Sequence, residues 1–445
     1  MKKVFLVLSV NLCFFNLITA QKNIEIASIK DGVVGALHKP LKHSKKEKTV
    51  VYVMHAEQDY LSFPACTELS NRGYTVLCAN NSASKTGKMN DLDFEDMMVD
   101  VAAGIEYLRK IKSIDKIVLL GHSGGGAMMA AYQNIAENGV SACNGNEKIA
   151  PCSDRLKDLP PADGIILLDA NYGLSTMSLL SMNPAIIDEN NPKQQDSALD
   201  LFSPANGFNT NGANYSEAFT KAFQKGIAQR MNKITQYALQ RKKIIDNGET
   251  AFSDDEILVI PDANYVGFNN KFFSQDPKFL SHTSQKWDLI HKDGSITNEI
   301  VYTVRPAKNL KQQNNTFYKG ALKTTVNRFL KTFAIRLDEQ KFSYGADGFT
   351  GIDWDSSQTT PISSAKGIKV PSLTMGMTGN WEFLASEKIY LNLASKDKTL
   401  AFVEGAAHNI STCTQCEKTK GQYGDTIKTT FDFIAQWLNK KGRFQ

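Results

Sequence analysis

The stretch that most constrains this chain is a short apolar run that ends abruptly in glycines. Lys116-Ile117-Val118-Leu119-Leu120 is β-branched and aliphatic, the composition of a strand buried on both faces. It runs into Gly121-His122-Ser123-Gly124-Gly125-Gly126 and then into Ala127-Met128-Met129-Ala130-Ala131-Tyr132, a helix former's composition. A strand that turns straight into a helix through G-x-S-x-G needs small residues where the two elements touch. It leaves one side chain, Ser123, exposed above the sheet edge. The helix behind Ser123 offers unpaired backbone N–H groups and the positive end of its dipole to an anion.

In that context the chain resembles the α/β-hydrolase fold family, over roughly residues 30–170 and 369–441. The rest of those segments reads as alternating strands and helices. Residues 23–38 read as a hairpin-like pair of opening strands. Buried strands are expected at 49–55, 74–78, 164–169, 370–377 and 398–403. Helical spacing appears at Met97, Val101, Ile105 and Leu108, with Asp100 and Glu106 placed outward, and again at Ile427, Phe431, Ile434 and Leu438. The expected fold class is α/β, a doubly wound, mostly parallel sheet with ligands at the carboxyl ends of its strands.

Between 172 and 368 the rhythm changes to a stretch rich in Asn, Ser, Asp and Gln. Helices are expected at 215–241 and 318–336, the second on Leu322, Val326, Phe329 and Phe333, with strand-like runs at 256–260 and 299–304. A segment this long with its own elements is a subdomain rather than a loop. The resemblance implies a cap inserted after the sixth strand, an α+β insertion over 172–368 between core parts 21–171 and 369–445. Such a cap shapes the pocket and excludes water. Trp287, Phe317, Tyr344 and Trp354 are aromatic candidates for lining an acyl pocket there, or simply for the cap's own core.

A serine hydroxyl is a weak nucleophile and needs a base, which needs an orienting group. The resemblance implies the order Ser, acid, His. His408 follows the last strand through Glu404-Gly405-Ala406-Ala407, where the family places its base. Two carboxylates compete for the third position. Glu382 is the first candidate, because Gly379-Asn380-Trp381-Glu382 has the G-x-x-acid form after the seventh strand. Asp169 is the rival, because it ends the sixth strand. The oxyanion donors implied are the N–H of Gly124 and one near Ala56 or Glu57, although His55-Ala56-Glu57 lacks the usual glycines. The Gly351-Ile352-Asp353-Trp354-Asp355 loop reads as solvated turn carboxylates. No metal, dinucleotide or P-loop motif is present, so no cofactor is expected.

Bulk properties place the chemistry. Met1-Lys2-Lys3 followed by an apolar run to Ala20 has the form of a secretory signal peptide, and no later run is long enough to span a bilayer. Without that leader the net charge falls from +5 to about +3, too balanced to argue for nucleic acid. Six cysteines then remain. Cys143 with Cys152 and Cys413 with Cys416 are plausible local disulfides in an exported chain; for Cys66 and Cys78 buried thiols are one alternative, and the pairing is not readable from the sequence. The expectation is a secreted or periplasmic serine hydrolase acting on a small-molecule or polymer carboxylic ester. A peptidase or amidase, an acyltransferase, and a binding protein with a degenerate triad are the alternatives.

Overall fold

The computed structural model describes residues 23–83, 93–209, 212–250, 254–264, 276–307 and 320–444. The expected leader at 1–20 and Phe317 lie outside the described residues.

The first half of the chain builds one side of a large sheet. Its elements are β1 (Ile24–Lys30), β2 (Val33–His38), β3 (Thr49–His55), α1 (Pro64–Asn71), β4 (Thr75–Asn80), α2 (Phe94–Arg109), β5 (Lys116–His122), α3 (Gly124–Asn138), β6 (Gly164–Leu168) and α4 (Leu174–Ser181). β3 is buried at all seven positions, because parallel strands are covered by helices on both faces. α2 starts where Asp93 accepts the Glu95 and Asp96 N–H groups at 2.9 and 3.2 Å, a cap that contributes about 1 kcal/mol.

The later elements are α5 (Glu217–Asp246), β7 (Ile257–Ile260), β8 (His282–Ile290), β9 (Ile296–Tyr302) and β10 (Leu322–Thr325). Four two-residue strands follow, β11 (Arg336–Leu337), β12 (Ser343–Tyr344), β13 (Phe349–Thr350) and β14 (Ile352–Asp353). The chain ends with α6 (Pro361–Ala365), β15 (Ser372–Met377), α7 (Phe383–Asn392), β16 (Lys398–Val403) and α8 (Thr426–Leu438).

Among the described residues, ten strands form the main sheet in the order β1-β2-β4-β3-β5-β6-β15-β16-β8-β9. β4, β3, β5, β6, β15, β16 and β8 run parallel, while β1, β2 and β9 are antiparallel to their neighbours. β5 lies at the centre. Its His122 pairs with Leu168 of β6, and its Leu120 pairs with Val53 of β3. The carboxyl ends of β3, β5 and β6 therefore finish level, and β15 joins them through Met375 opposite Leu168. Side chains placed just after each of these ends converge on one spot.

The structure departs from the sequence expectations in four places. The inserted region 172–368 is not wholly a separate unit, because β8 and β9 extend the main sheet beyond β16. The helix expected over 318–336 is instead strand β10 paired with β7, one helical turn at Val326–Arg328 and a π turn at Phe329–Phe333. Its apolar spacing is satisfied by burial of Leu322, Val326, Phe329 and Phe333, without a continuous helix. Asp100, placed outward by periodicity, is fully buried; Lys30 lies 2.5 Å from it, and Ser82 donates to it through N–H and hydroxyl. Cys66 and Cys78 are not free thiols but a disulfide that ties α1 to β4. Cys143–Cys152 and Cys413–Cys416 are also bridged. Among the described residues, no helix is long and apolar enough to cross a membrane.

Candidate active site

The turn from β5 into α3 is as tight as its glycines suggest. A Cβ on Gly121 would lie 2.4 Å from the Gly125 carbonyl oxygen, and a Cβ on Gly125 would lie 2.5 Å from the Met54 carbonyl oxygen. No side chain fits at either position. Ser123 sits at the helix N-cap with φ 55° and ψ −127°, a left-handed conformation that costs a non-glycine residue of order 1–3 kcal/mol. The packing of strand on helix holds the serine there.

Three strand ends meet at Ser123. His408 Nε2 lies 2.8 Å from Ser123 Oγ, and His408 Nδ1 lies 2.7 Å from Asp169 Oδ2. A carboxylate can only accept, so Nδ1 carries a ring proton, and in the neutral ring Nε2 accepts from the serine hydroxyl. Asp169 is wholly buried and has φ 41°. Its Oδ1 accepts the Met377 N–H at 2.9 Å and its Oδ2 accepts from Asn380 Nδ2 at 3.1 Å. The chain folds this way because β6 and β15 are neighbours, so a carboxylate just past β6 caps the end of β15.

Glu382 is brought to the same imidazole. Its Oε2 lies 3.0 Å from His408 Nδ1 and accepts from Asn380 Nδ2 at 2.9 Å. Both carboxylates named from the sequence therefore reach His408, Asp169 the closer and the more buried. Burial favours a neutral His408, yet the charges of Glu382 and Asp169 outweigh it and hold the imidazole well above its ordinary pKa. Burial also pushes the Asp169 carboxyl above the usual carboxylate range, against the pull of the His408 hydrogen bond.

Two histidines at neighbouring strand ends support the site. His122, inside the elbow, donates through Nε2 to the backbone carbonyl of His408 at 2.6 Å and accepts at Nδ1 from the Tyr60 hydroxyl at 2.5 Å. Burial drives its pKa down to about 3, helped by the charge of His408, so it stays neutral and keeps both bonds. His55 turns back on its own loop, where its Nδ1 accepts the Glu57 and Gln58 N–H groups at 3.0 and 2.8 Å. Asn81 holds the same loop by donating to the His55 and Ala56 carbonyls. His55 is a strand-end structural residue, as its place in the sequence suggests; the role of His122 was not assigned there, and its place at the end of the neighbouring strand is the signal for it.

Around Ser123 opens a cleft of about 340 Å³. Gly124, Ala56, Glu57 and Asn171 border it, and Leu174 and Met177 from α4 make its apolar wall. Trp287, Tyr344 and Trp354 do not line it. Trp287 instead donates to the buried Glu387 at 2.7 Å, and Trp354 stacks on Tyr172 with ring centres 6.1 Å apart. A larger cleft of about 760 Å³, bordered by Asp93, Lys242, Glu256 and Arg328, includes none of the residues around Ser123. Asp353 pairs with Arg336, and Asp355 with Lys366, as turn carboxylates do. Among the described residues, the one group with metal-ligand spacing is Asp169, Glu382 and His408. The amide of Asn380 already donates to both of those carboxylates, so the group fits an imidazole proton better than a cation.

This is the α/β-hydrolase fold. The strand order, the elbow at the central strand and the residues gathered beyond the strand ends show it. No protein-family model matches the sequence, and no curated protein matches it. Similar solved structures include Est1E from Butyrivibrio proteoclasticus, 11% identical over 94% of this chain and 97% of that one, with a TM-score of 0.37. A soluble variant of monoglyceride lipase from Saccharomyces cerevisiae is 15% identical over 94% of each chain, with a TM-score of 0.38. The siderophore hydrolase EstB from Aspergillus fumigatus is 10% identical over 94% and 98%, with a TM-score of 0.43. Likenesses at this level add nothing to what the chain's own topology shows.

Proposed function

We propose that the chain is a serine hydrolase that cleaves carboxylic esters. The observation that carries this reading is the hydrogen-bonded line from Ser123 Oγ to His408 Nε2, and from His408 Nδ1 to Asp169, built on a strained elbow. Ser123 attacks the ester carbonyl while His408 takes its proton. The Gly124 N–H, first in α3 and so without an intrahelical partner, receives the growing negative charge together with a donor at Ala56. His408 returns the proton to the leaving alcohol, and water then cleaves the acyl-enzyme by the same route. No cofactor enters this scheme.

A cleft near the small end of the range for ligand sites, walled by Leu174 and Met177, supports a short acyl chain. The region 172–368 supplies that wall through α4 and acts as the cap. The leader-like segment at 1–20 and three disulfides support a secreted or periplasmic site of action.

The test is hydrolysis of a p-nitrophenyl ester series from acetate upward by the chain lacking residues 1–20. Turnover is expected to peak at short acyl chains and to disappear in Ser123→Ala. A protein inert on the whole series, and unlabelled by a fluorophosphonate, would overturn the reading in favour of a binding protein.

A further inference from the structure

Asn171 stands two positions after Asp169, on the bridge from β6 to α4. Two contacts hold it. Its backbone N–H donates to the Ser123 carbonyl at 3.1 Å, which ties it to the nucleophile's own peptide. Its Oδ1 accepts the Gly173 N–H at 2.9 Å, and that partner assigns the two ends of the carboxamide. The other end, Nδ2, is thereby turned away from Gly173. The residue is only 5% exposed, and it borders the cleft around Ser123. Among the described residues, Nδ2 has no hydrogen-bond acceptor, and the residue lines the open cleft, where a ligand's oxygen can meet it.

Its position gives that donor a use. Nδ2 lies 3.5 Å from the point where a Cβ on Gly124 would stand. Gly124 is the residue whose backbone N–H opens α3 and to which the proposed mechanism gives the ester carbonyl oxygen. That separation is ordinary van der Waals contact, so the Asn171 amide lies against Gly124 where both border the cleft. A buried side-chain amide, held by its oxygen and open at its nitrogen, is a pre-oriented donor that needs no rearrangement when charge appears.

We propose that Asn171 is a catalytic residue whose Nδ2–H donates to the ester carbonyl oxygen as Ser123 attacks, beside the Gly124 N–H. This rests on the serine-hydrolase reading above. In the step, Ser123 Oγ bonds to the carbonyl carbon, its proton passes to His408 Nε2, and the carbonyl π pair moves onto oxygen. Asn171 keeps its own proton and supplies only the hydrogen bond, which strengthens as the oxygen becomes negative. When the tetrahedral species collapses, the pair returns, the C–O bond to the leaving group breaks, and the leaving oxygen takes the proton from His408.

The decisive comparison is wild type against Asn171→Asp and Asn171→Ala on p-nitrophenyl butyrate, read at the plateau of each pH–rate profile. A short alkyl boronic acid, which turns tetrahedral on Ser123, reports affinity for the transition-state shape. Asn171→Asp keeps the shape and the acceptor for Gly173 but loses the donor. Both variants are expected to lose about 10²–10³-fold in kcat with KM nearly unchanged, and boronate affinity is expected to fall with kcat. A kcat within about threefold of wild type, or a loss carried wholly by KM, overturns the proposal. If Asn171→Ala melts early, Asn171→Asp decides. Wild type that turns over while Ser123→Ala does not leaves the hydrolase reading standing, whatever Asn171 does. Wild type inert to esters and to fluorophosphonate overturns both.

Discussion

The two sides of the His408 ring are built on different plans. On the Nε2 side stands one partner, Ser123, locked by a strained backbone and by glycines with no room for a side chain. On the Nδ1 side stand two carboxylates from two neighbouring strand ends, with the Asn380 amide donating to both. The first side has a single way to work. The second has a reserve, because a ring that loses one acceptor still faces another. The difference shows where tolerance to change should lie around the proposed base.

The comparison breaks first at its strict side. Ser123→Ala should lower kcat by about 10⁶-fold, as expected when a nucleophile is removed and only binding remains. Activity retained near wild type in a stopped assay of the purified variant would mean that the elbow is not the nucleophile's seat. On the reserve side the effects should be graded. Asp169→Asn with Glu382→Gln together should cost about 10⁴-fold in kcat, whereas Asp169→Asn alone should cost only about 10²-fold. If the single change already matches the double, Glu382 holds nothing in reserve.

Glu382→Gln alone should change the plateau kcat by less than about tenfold but should move the pH–rate profile. In the proposed mechanism His408 is a base only when it has lost its extra proton, so activity should rise as pH passes upward through its pKa. The Glu382 and Asp169 carboxylates raise that pKa against burial, which puts the rise on the alkaline side of the ordinary histidine range. Removing the Glu382 charge lowers the pKa, so the acid limb should shift to lower pH. An unmoved limb would show that Glu382 does not act on the ring. The smallest effect belongs to the support beneath the ring. Tyr60→Phe removes the donor to His122 and should cost about threefold in kcat with KM unchanged. A larger loss in KM would place Tyr60 against the substrate instead.

The sheet and the elbow were legible because strands covered on both faces must be continuous apolar runs. Thr49–His55, Lys116–His122 and Gly164–Leu168 are such runs, and the structure has strands there. β8 escaped notice because it lies near the rim, partly open to solvent, and His282-Thr283-Ser284-Gln285-Lys286 carries no apolar pattern. At 318–336 the apolar spacing was real but was spent on burial by a strand and two turns, so periodicity alone misled. Around the site, Ser123 and His408 could be named because each has a fixed place relative to a strand. The two acids stayed open for a physical reason, since β6 and β15 are adjacent and both carboxylates arrive. Asn171 left no trace in the sequence, because its bearing on Gly124 comes from a close approach that only the packed strand ends create.

The two added strands beyond β16 have a consequence for how the molecule breathes. A sheet frays from its rim inward, and edge strands exchange their amide hydrogens first. Were β16 the last strand, the loop that carries His408 would hang from the part of the sheet most prone to open. With β8 and β9 outside it, rim fluctuations must peel away two strands before they reach that loop. The separation between His408 and Ser123 is thereby insulated from the sheet's commonest opening motion.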